Sequence, residues 1–308
     1  MAALSVVAIM AVLVCLSRPS SAAAPEPAGF ADPLAIIPEI GLWVDGSARI
    51  GFAKKGGVVL WWGLEPPAPA AGAPAIEWRR VTYRIRAEAF RPDGGRVAKE
   101  ETLIGPLQSD GASERGGFPT PLDLGLAPGR YRIHIEAYPL ISAKSVGLDS
   151  VPRGIADVEM SVPEMNFGSH GWRVSDILFF SSLRKWEPGA ASERTWYDWI
   201  GYPCVPRAFA ADTTTAYVGF EVLRSAEVVP RCGPGRCRVV VTVRDAQGGI
   251  VQQELRPVSE AGSLQPYAVP FRPGALAPGR YAAEVEVFEG ADLQTAVRRS
   301  FRVAAPRR

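Results

Sequence analysis

The hexapeptide Leu-Ala-Pro-Gly-Arg-Tyr occurs twice in this sequence, at residues 126–131 and again 150 residues later at 276–281. In both places apolar and polar residues alternate after the tyrosine, which is typical of a β-strand with one buried and one solvated face. The Pro-Gly pair supplies a tight turn before that strand. A turn-and-strand unit repeated at this distance predicts two copies of one β module.

Each tyrosine of the hexapeptide stands at the start of its strand. In immunoglobulin-like sandwiches, a tyrosine at the crossing from strand E to strand F bonds its hydroxyl back to upstream backbone, an arrangement called a tyrosine corner. We therefore predict tyrosine corners at Tyr131 and Tyr281. On this interpretation the F strands are 130–138 and 280–289, and the terminal G strands are 154–162 and 295–303.

Other segments repeat in the same order. The strand 81–91 leads into Asp93-Gly94-Gly95, and the strand 238–245 leads into Gln247-Gly248-Gly249. The strand 58–66 corresponds to 216–224, and the 31 glycines and 28 prolines suit a chain with many turns. We predict an all-β protein of two tandem immunoglobulin- or fibronectin-like antiparallel β-sandwiches. Their expected bounds are 36–163 and 164–305.

The N-terminus has the pattern of a targeting segment. A run of apolar residues from Ala2 to Leu16 is followed by small residues up to Ala24, which predicts a secretory signal peptide at 1–23 and a linker at 24–35. The run is short for a membrane span, and no other segment approaches that length. We expect an exported protein, periplasmic or extracellular, with no stable membrane insertion after signal cleavage.

Cysteine usage agrees with export. Cys232 and Cys237 flank a Gly-Pro-Gly-Arg turn, and two strands flanking that turn would bring them to bridging distance. We predict a Cys232–Cys237 disulfide. Cys204 is either a buried thiol or a competing partner for one of this pair.

Part of the sequence resembles a known family. The run 126–137, the strand ending in Val162-Pro163 and the run 174–180 are similar to the β-rich region of bacterial GWxTD-domain proteins, and 217–222 with 239–245 fits the same pattern. The motif that names the family is absent, because Gly171-Trp172 is followed by Arg173-Val174-Ser175. The resemblance implies a β-rich architecture and export, and no particular reaction.

Residues suited to catalysis or metal binding are scarce. His134 lies on the polar face of a predicted F strand, and His170 follows Ser169 in a loop without the Gly-x-Ser-x-Gly elbow of hydrolases. Four aspartates near predicted turns lack the regular spacing of a calcium loop: Asp110, Asp123, Asp149 and Asp157. The 34 basic and 32 acidic residues form no basic patch that would indicate nucleic acid. We expect no catalytic residues, no metal and no cofactor.

The insertion at 184–206 in the second copy is rich in aromatic residues, and its candidate binding residues are Trp186, Trp196, Tyr197, Trp199 and Tyr202. These rings either fold back and bury themselves against a sheet, or remain exposed and stack on a sugar or a protein. The adjacent Trp61 and Trp62 point to opposite faces of one strand, so one belongs to a core and the other is exposed or lies between the domains.

These observations favour a non-enzymatic, exported binding or scaffolding protein of the bacterial cell envelope, whose partner is an unknown protein or glycan. The alternative is a carbohydrate-binding or accessory module that uses the insertion at 184–206. Addition of a partner strand at a sheet edge is one physical route to binding.

Overall fold

The computed structural model describes residues 32–38, 42–49, 57–64, 82–104, 121–140, 153–162, 171–187, 196–225, 236–258 and 264–305. Within these ranges the protein is all-β, and its one other regular element is a short 3-10 helix at Pro273–Ala275. None of the described helices is long and apolar enough to span a membrane.

The first sandwich consists of two four-stranded antiparallel sheets. Sheet A has the strand order β1-β2-β3-β6, and sheet B has the order β5-β4-β7-β8. The strands are β1 (Leu34–Ile37), β2 (Leu42–Arg49), β3 (Gly57–Leu64), β4 (Tyr83–Phe90), β5 (Arg96–Ile104), β6 (Leu122–Asp123), β7 (Gly129–Pro139) and β8 (Gly154–Val162).

The second sandwich consists of two five-stranded sheets. Sheet C has the order β11-β10-β13-β16, with β9 also paired to β13, and sheet D has the order β12-β18-β17-β14-β15. All pairs are antiparallel except β12 with β18. The strands are β9 (Trp172–Val174), β10 (Leu178–Lys185), β11 (Trp199–Pro203), β12 (Ala208–Ala210), β13 (Ala216–Arg224), β14 (Cys237–Asp245), β15 (Ile250–Pro257), β16 (Leu264–Phe271), β17 (Gly279–Glu289) and β18 (Asp292–Ala304).

Sheets B and D share one strand order, since β5-β4-β7-β8 matches β15-β14-β17-β18. The matching hairpins turn in the same way. Gly94 and Gly248 have positive φ angles of 85° and 84°, which glycine adopts without a Cβ penalty. An aspartate accepts a backbone hydrogen bond in each turn, although at different positions: Asp93, the third turn residue, from Gly95 at 2.9 Å, and Asp245, the first, from Gly249 at 2.7 Å.

The repeated hexapeptide forms the same hydrogen bond in both sandwiches. The hydroxyl of Tyr131 donates to the carbonyl oxygen of Ala127 at 2.8 Å, and that of Tyr281 donates to Ala277 at 2.8 Å. This is the geometry of a tyrosine corner. It fixes the entry of β7 and β17 into their sheets.

Each sandwich has its own hydrophobic core. The first core lies between sheets A and B and includes Trp62 of β3. The second lies between sheets C and D, and its centre is a set of phenylalanine rings in edge and tilted contact: Phe179, Phe209, Phe271 and Phe301. Each core is filled by side chains from the two facing sheets of its own sandwich.

Some predicted bounds differ from those observed. The predicted linker extends to residue 35, but β1 begins at Leu34, because Ile36 reaches the first core and draws the chain into sheet A. The predicted G strand 295–303 is longer and runs over Asp292–Ala304. The predicted signal peptide lies outside the described residues.

We expect Tyr131→Phe to lower the free energy of unfolding by about 1 kcal/mol, the usual net worth of a hydrogen bond. The bond of Tyr131 is partly buried whereas that of Tyr281 is exposed, so water can replace the second more easily and Tyr281→Phe should cost less. Urea denaturation of both variants measures the difference. Equal losses would contradict the assignment of these two environments.

Candidate functional site at the contact between the sandwiches

A third apolar cluster lies between the two sandwiches rather than inside either. Val59 and Trp61 of β3 pack there against Phe180 of β10 and against Trp196. Trp61 and Trp62 therefore point to opposite faces of β3, as expected, with Trp62 in the first core and Trp61 between the domains. Sheet A thus packs with its outer face on sheet C.

The aromatic insertion contributes to this contact. Its strand β11 pairs with β10 and extends sheet C, and Trp196 and Tyr202 are buried. Tyr197 and Trp186 are partly buried, and Trp199 is 36% exposed. For Trp196 and Tyr202 the structure shows the burial alternative, so these residues with Trp199 form no flat exposed platform.

The two sandwiches approach closely at one glycine. A Cβ on Gly63 of β3 would lie 2.1 Å from the carbonyl oxygen of Val205, a distance that real Cβ atoms do not show. Val205 belongs to the segment that follows β11. Only glycine allows the two backbones this separation.

Charged side chains surround the apolar contact. We call them the interdomain charge cluster, and each is buried: Asp45, Arg49, Asp176, Arg207, Glu221 and Arg299. Asp45 and Arg49 come from β2 of the first sandwich, and the other four come from the second. The cluster therefore joins three guanidinium groups to three carboxyl groups across the domain contact.

Asp45 is the centre of this cluster. Its two carboxylate oxygens accept hydrogen bonds from Arg207, from Nε at 2.7 Å and from Nη2 at 2.6 Å. Arg299 donates to the same carboxylate at 2.7 Å. Burial alone would raise the pKa of Asp45, but the charges of Arg207 and Arg299 outweigh it and lower the pKa below its ordinary value.

Arg299 connects several backbone segments through its guanidinium. Its Nη2 donates to the carbonyl oxygen of Gly46 at 2.5 Å, and its Nη1 donates to that of Ile177 at 2.5 Å. The same Nη1 lies 3.0 Å from Oδ2 of Asp176. A single side chain of β18 thus binds β2 of the first sandwich and the segment between β9 and β10.

Arg49 occupies the other end of the cluster. Its guanidinium lies over the ring of Trp196, 4.4 Å from the centroid, and its Nη1 donates to Ser175 Oγ at 3.1 Å. Burial lowers the pKa of Arg49 to about 10, and the nearby Glu221 and Asp176 oppose that change. Stacking of a cation on an aromatic face offsets part of the lost hydration.

Glu221 and Tyr197 complete this end. The Tyr197 hydroxyl donates to Oε1 of Glu221 at 2.6 Å, and burial together with the Glu221 charge raises the pKa of the tyrosine. Ser175 accepts a hydrogen bond from the backbone N–H of Glu221 at 2.8 Å. The aromatic insertion is therefore tied to β13 by polar contacts as well as by packing.

Two residues of this region adopt left-handed backbone conformations. Arg207 has φ of 60° and Tyr197 has φ of 51°. For residues other than glycine such a conformation costs on the order of 1–2 kcal/mol. Both side chains are held by the hydrogen bonds described above, so the polar contacts of the domain contact offset this strain.

The chemistry of the cluster is structural. Its carboxyl groups are buried and engaged by arginine, by tyrosine or by backbone. Asp45 is bonded by arginines of the other sandwich, whereas Asp176 and Glu221 are bonded within their own. Buried ion pairs add little net stability, because desolvation cancels most of the attraction, yet they penalise any arrangement that leaves one partner unpaired. The apolar cluster holds the sandwiches together, and the charge cluster sets their relative orientation.

The cysteines and the aspartates that were weighed as calcium ligands are placed as follows. Cys204 is buried, and its thiol donates to the Ala208 carbonyl at 3.3 Å, which agrees with the first of its two alternatives. Cys237 is buried at the start of β14, but Cys232 lies outside the described residues, so the disulfide remains a prediction.

Asp123, one of the aspartates weighed as calcium ligands, accepts a hydrogen bond from the backbone N–H of Gly125 at 2.9 Å. Across the described ranges, no three His, Cys, Asp or Glu residues group as metal ligands.

His134 lies on the polar face of β7, between two carboxylates. Its ring nitrogens are 3.1 Å from Asp157 and 3.3 Å from Glu136. Partial burial lowers its pKa, but the hydrogen bonds to these carboxylates outweigh that effect and raise it above the ordinary value. His170, Ser169, Asp110 and Asp149 lie outside the described residues.

The residue patterns of the sequence do not by themselves indicate the interdomain charge cluster. On β2 the polar residues Asp45, Ser47 and Arg49 alternate with small or apolar residues. This pattern by itself indicates that the polar residues lie on a solvated face of the strand. The contrary signal is in the neighbouring strand, because Val59 and Trp61 are as apolar as the core residues beside them. A strand that is apolar on both faces is covered on both faces.

No family model and no curated protein matches this chain. Among solved structures, it is similar to a Bifidobacterium dentium β-glucuronidase at 12% identity and a TM-score of 0.26, over 85% of this chain and 40% of that one. It is also similar to Bacteroides uniformis β-glucuronidase 2 at 13% identity and a TM-score of 0.25, over 79% and 26% of the two chains. The BSP domain of a biofilm-associated protein matches at 7% identity and a TM-score of 0.22, over 91% and 52%. The chain spans at most 52% of these structures, and likeness at such TM-scores carries no argument about function.

We expect Asp45→Ala to destabilise the protein by about 3–5 kcal/mol, because it leaves Arg207 and Arg299 buried without their carboxylate. The matched control is Glu101→Ala, which removes an exposed ion pair with Arg84 and should cost less than about 1 kcal/mol. Urea denaturation measures both. A small loss for Asp45→Ala would show that the cluster does not depend on this carboxylate.

We expect the pKa of His134 to fall in Asp157→Asn, as measured by NMR titration of the ring. Because the folded pKa lies above the unfolded one, the charged ring stabilises the fold below about pH 6.5 and loses this contribution as the pH rises through the raised pKa. The stability difference between wild type and His134→Gln should therefore shrink as the pH rises above about 6.5. A difference that grows with pH would contradict the assigned contacts.

Proposed function

We propose that this protein is an exported, non-enzymatic binding or scaffolding protein of the bacterial cell envelope. The observation that carries the proposal is the interdomain charge cluster. Side chains that an enzyme would use as acids, bases or electrostatic groups are buried at the domain contact, where they hold two sandwiches in one orientation. Such an arrangement suits a protein that presents surfaces of two modules at a fixed spacing.

Export is part of the proposal. The apolar N-terminal run followed by small residues is typical of a secretory signal peptide. A disulfide between Cys232 and Cys237 would suit an oxidising compartment. The resemblance to GWxTD-domain proteins supports the same location, the periplasm or the extracellular space.

The two modules are proposed to descend from one repeated unit. The hexapeptide, the hairpin turns and the order of four strands recur in both. The second module then differs from the first in its aromatic insertion, part of which fills the domain contact. On this view the insertion joins the modules, and the partner binds elsewhere.

The proposal is tested by immobilising the mature chain, residues 24–308, and incubating it with solubilised envelope components of the source organism. Specific retention of a protein or glycan, absent from beads that carry the heat-unfolded chain, is expected. Fusion of alkaline phosphatase to the C-terminus tests export, because the fused enzyme is active only outside the cytoplasm. Absence of both retention and phosphatase activity would overturn the proposal.

We expect Trp199→Ala to leave this retention unchanged within about twofold, because Trp199 is the one insertion aromatic among the described residues that is exposed and it stands alone. Leu293→Ala is a matched control, since it removes another exposed apolar side chain in the same sandwich. A selective loss with Trp199→Ala, restored by Trp199→Phe, would instead favour recognition of a glycan by the insertion.

A further inference from the structure

The edges of the four sheets differ in how they are protected. An edge strand exposes unpaired N–H and C=O groups, and proteins that avoid edge pairing place prolines or inward-pointing charges there. Among the described strands, four edge strands have eight or more residues: β5, β8, β15 and β16. These four can be compared directly.

Strands β5 and β15 carry inward-pointing charges at matching positions. Glu100 of β5 lies opposite the buried Ala87, and Glu254 of β15 lies opposite the buried Val241. Both glutamates therefore point to the core side of their sheets. A strand added at either edge would have to bury this charge.

Strand β16 is protected by prolines. Pro266 and Pro270 both lie inside it, and neither has a backbone N–H to donate to an added strand. Three of the four long edges thus carry a device that disfavours strand addition.

Strand β8 carries neither device. The side chains on its inner face are Ala156, Val158 and Met160, which lie opposite Ile135, Ile133 and Tyr131 of β7. All three are apolar, and β8 contains no proline. Among the described strands only β7 is hydrogen-bonded to β8, with β1 packed nearby, and none of these inner side chains penalises a further strand.

The matching strand of the second sandwich, β18, is paired over part of its length and carries an inward charge. Strand β12 pairs with the C-terminal end of β18, and Arg299 of β18 is held by Asp45 and Gly46. In the first sandwich β8 pairs only with β7 among the described strands. Pairing by β12 covers the last three residues of β18, and the residue of β18 that matches Val158 is the charged Arg299.

We propose that the open edge of β8 binds an extended segment of a partner protein in which apolar and basic residues alternate. This inference rests on the proposed binding function and assigns its site. Apolar residues of the added strand would lie beside Ala156 and Val158, and basic residues would lie beside Asp157 and Glu159 on the outer face. Opposite charges on neighbouring strands are favourable, and backbone hydrogen bonds supply the rest of the affinity.

A second copy of the chain fits this edge less well. Antiparallel pairing of β8 with itself in the register centred on Val158 would bring Asp157 and Glu159 of the two copies together on one face. Like charges at neighbouring strand positions are destabilising. The alternation of the edge therefore favours a basic partner over self-association.

The test uses a fluorescein-labelled peptide, acetyl-Lys-Val-Arg-Val-Lys-Val-Arg-Val-amide, and fluorescence anisotropy with the mature chain. We expect Ala156→Glu to weaken binding at least tenfold, because it places on β8 the kind of inward charge that β5 and β15 carry. The matched control is Ala98→Glu, which makes the same change on the inner face of β5, opposite Ala89. This control should change the affinity less than twofold.

Two further measurements do not depend on how well Ala156→Glu folds. A peptide methylated on alternate backbone nitrogens should lose binding, because it cannot extend the ladder, and a peptide with Glu in place of Lys and Arg should bind at least tenfold more weakly. Equal binding of either peptide, or unchanged binding to Ala156→Glu, would overturn the proposal. So would a dimer, seen by sedimentation, that Ala156→Glu dissociates, since the occupant would then be a second copy.

Failure of this site can be separated from failure of the proposed function. If the immobilised wild type and Ala156→Glu retain the same envelope components equally, the β8 edge is not the site while the binding function stands. If the wild type retains nothing, the function fails whatever the peptide does.

Discussion

Where the two sandwiches meet, a carboxylate of the first must be removed from water together with two guanidinium groups of the second. Asp45 accepts hydrogen bonds from both Arg207 and Arg299, so displacing either sandwich would strand buried charge. The cost of an unpaired buried ion amounts to several kcal/mol, whereas apolar contacts alone tolerate sliding. The orientation of the modules, the left-handed backbone at Arg207 and the close contact at Gly63 all depend on this one arrangement.

The same constraint explains the aromatic insertion. An exposed set of tryptophans and tyrosines on a sandwich suggests a ligand site, but Trp196 lies under Arg49 and beside Phe180. The ring shields the guanidinium from water and fills space that neither sandwich fills. A long insertion in the second sandwich thus takes part in joining it to the first.

Much of the fold follows from local patterns. Alternation of side chains predicts β4, β7 and β17 because each has one face in a core and one in water, and the hexapeptide marks the entry of β7 and β17 because proline, glycine and tyrosine each have a fixed role there. The domain contact is different, because Asp45, Asp176 and Arg299 are distant in sequence and each alone has the pattern of a solvated residue. Only the apolar outer faces of β3 and β10 signal that a second layer covers them. The edge of β8 is likewise visible only once the neighbours of every strand are known.

The positions of Asp45 and Arg299 along the chain set an order of events. Among the described strands, Asp45 lies in the second from the N-terminus and Arg299 lies in the last. Domains generally form as units in the order of synthesis, so the first sandwich can complete its own core long before the residues that neutralise Asp45 exist. During that interval Val59, Trp61 and Arg49 face solvent or a chaperone. The relative orientation of the two modules can therefore be fixed only after β18 has formed, and until then the apolar and charged outer face of the first sandwich lacks its cover.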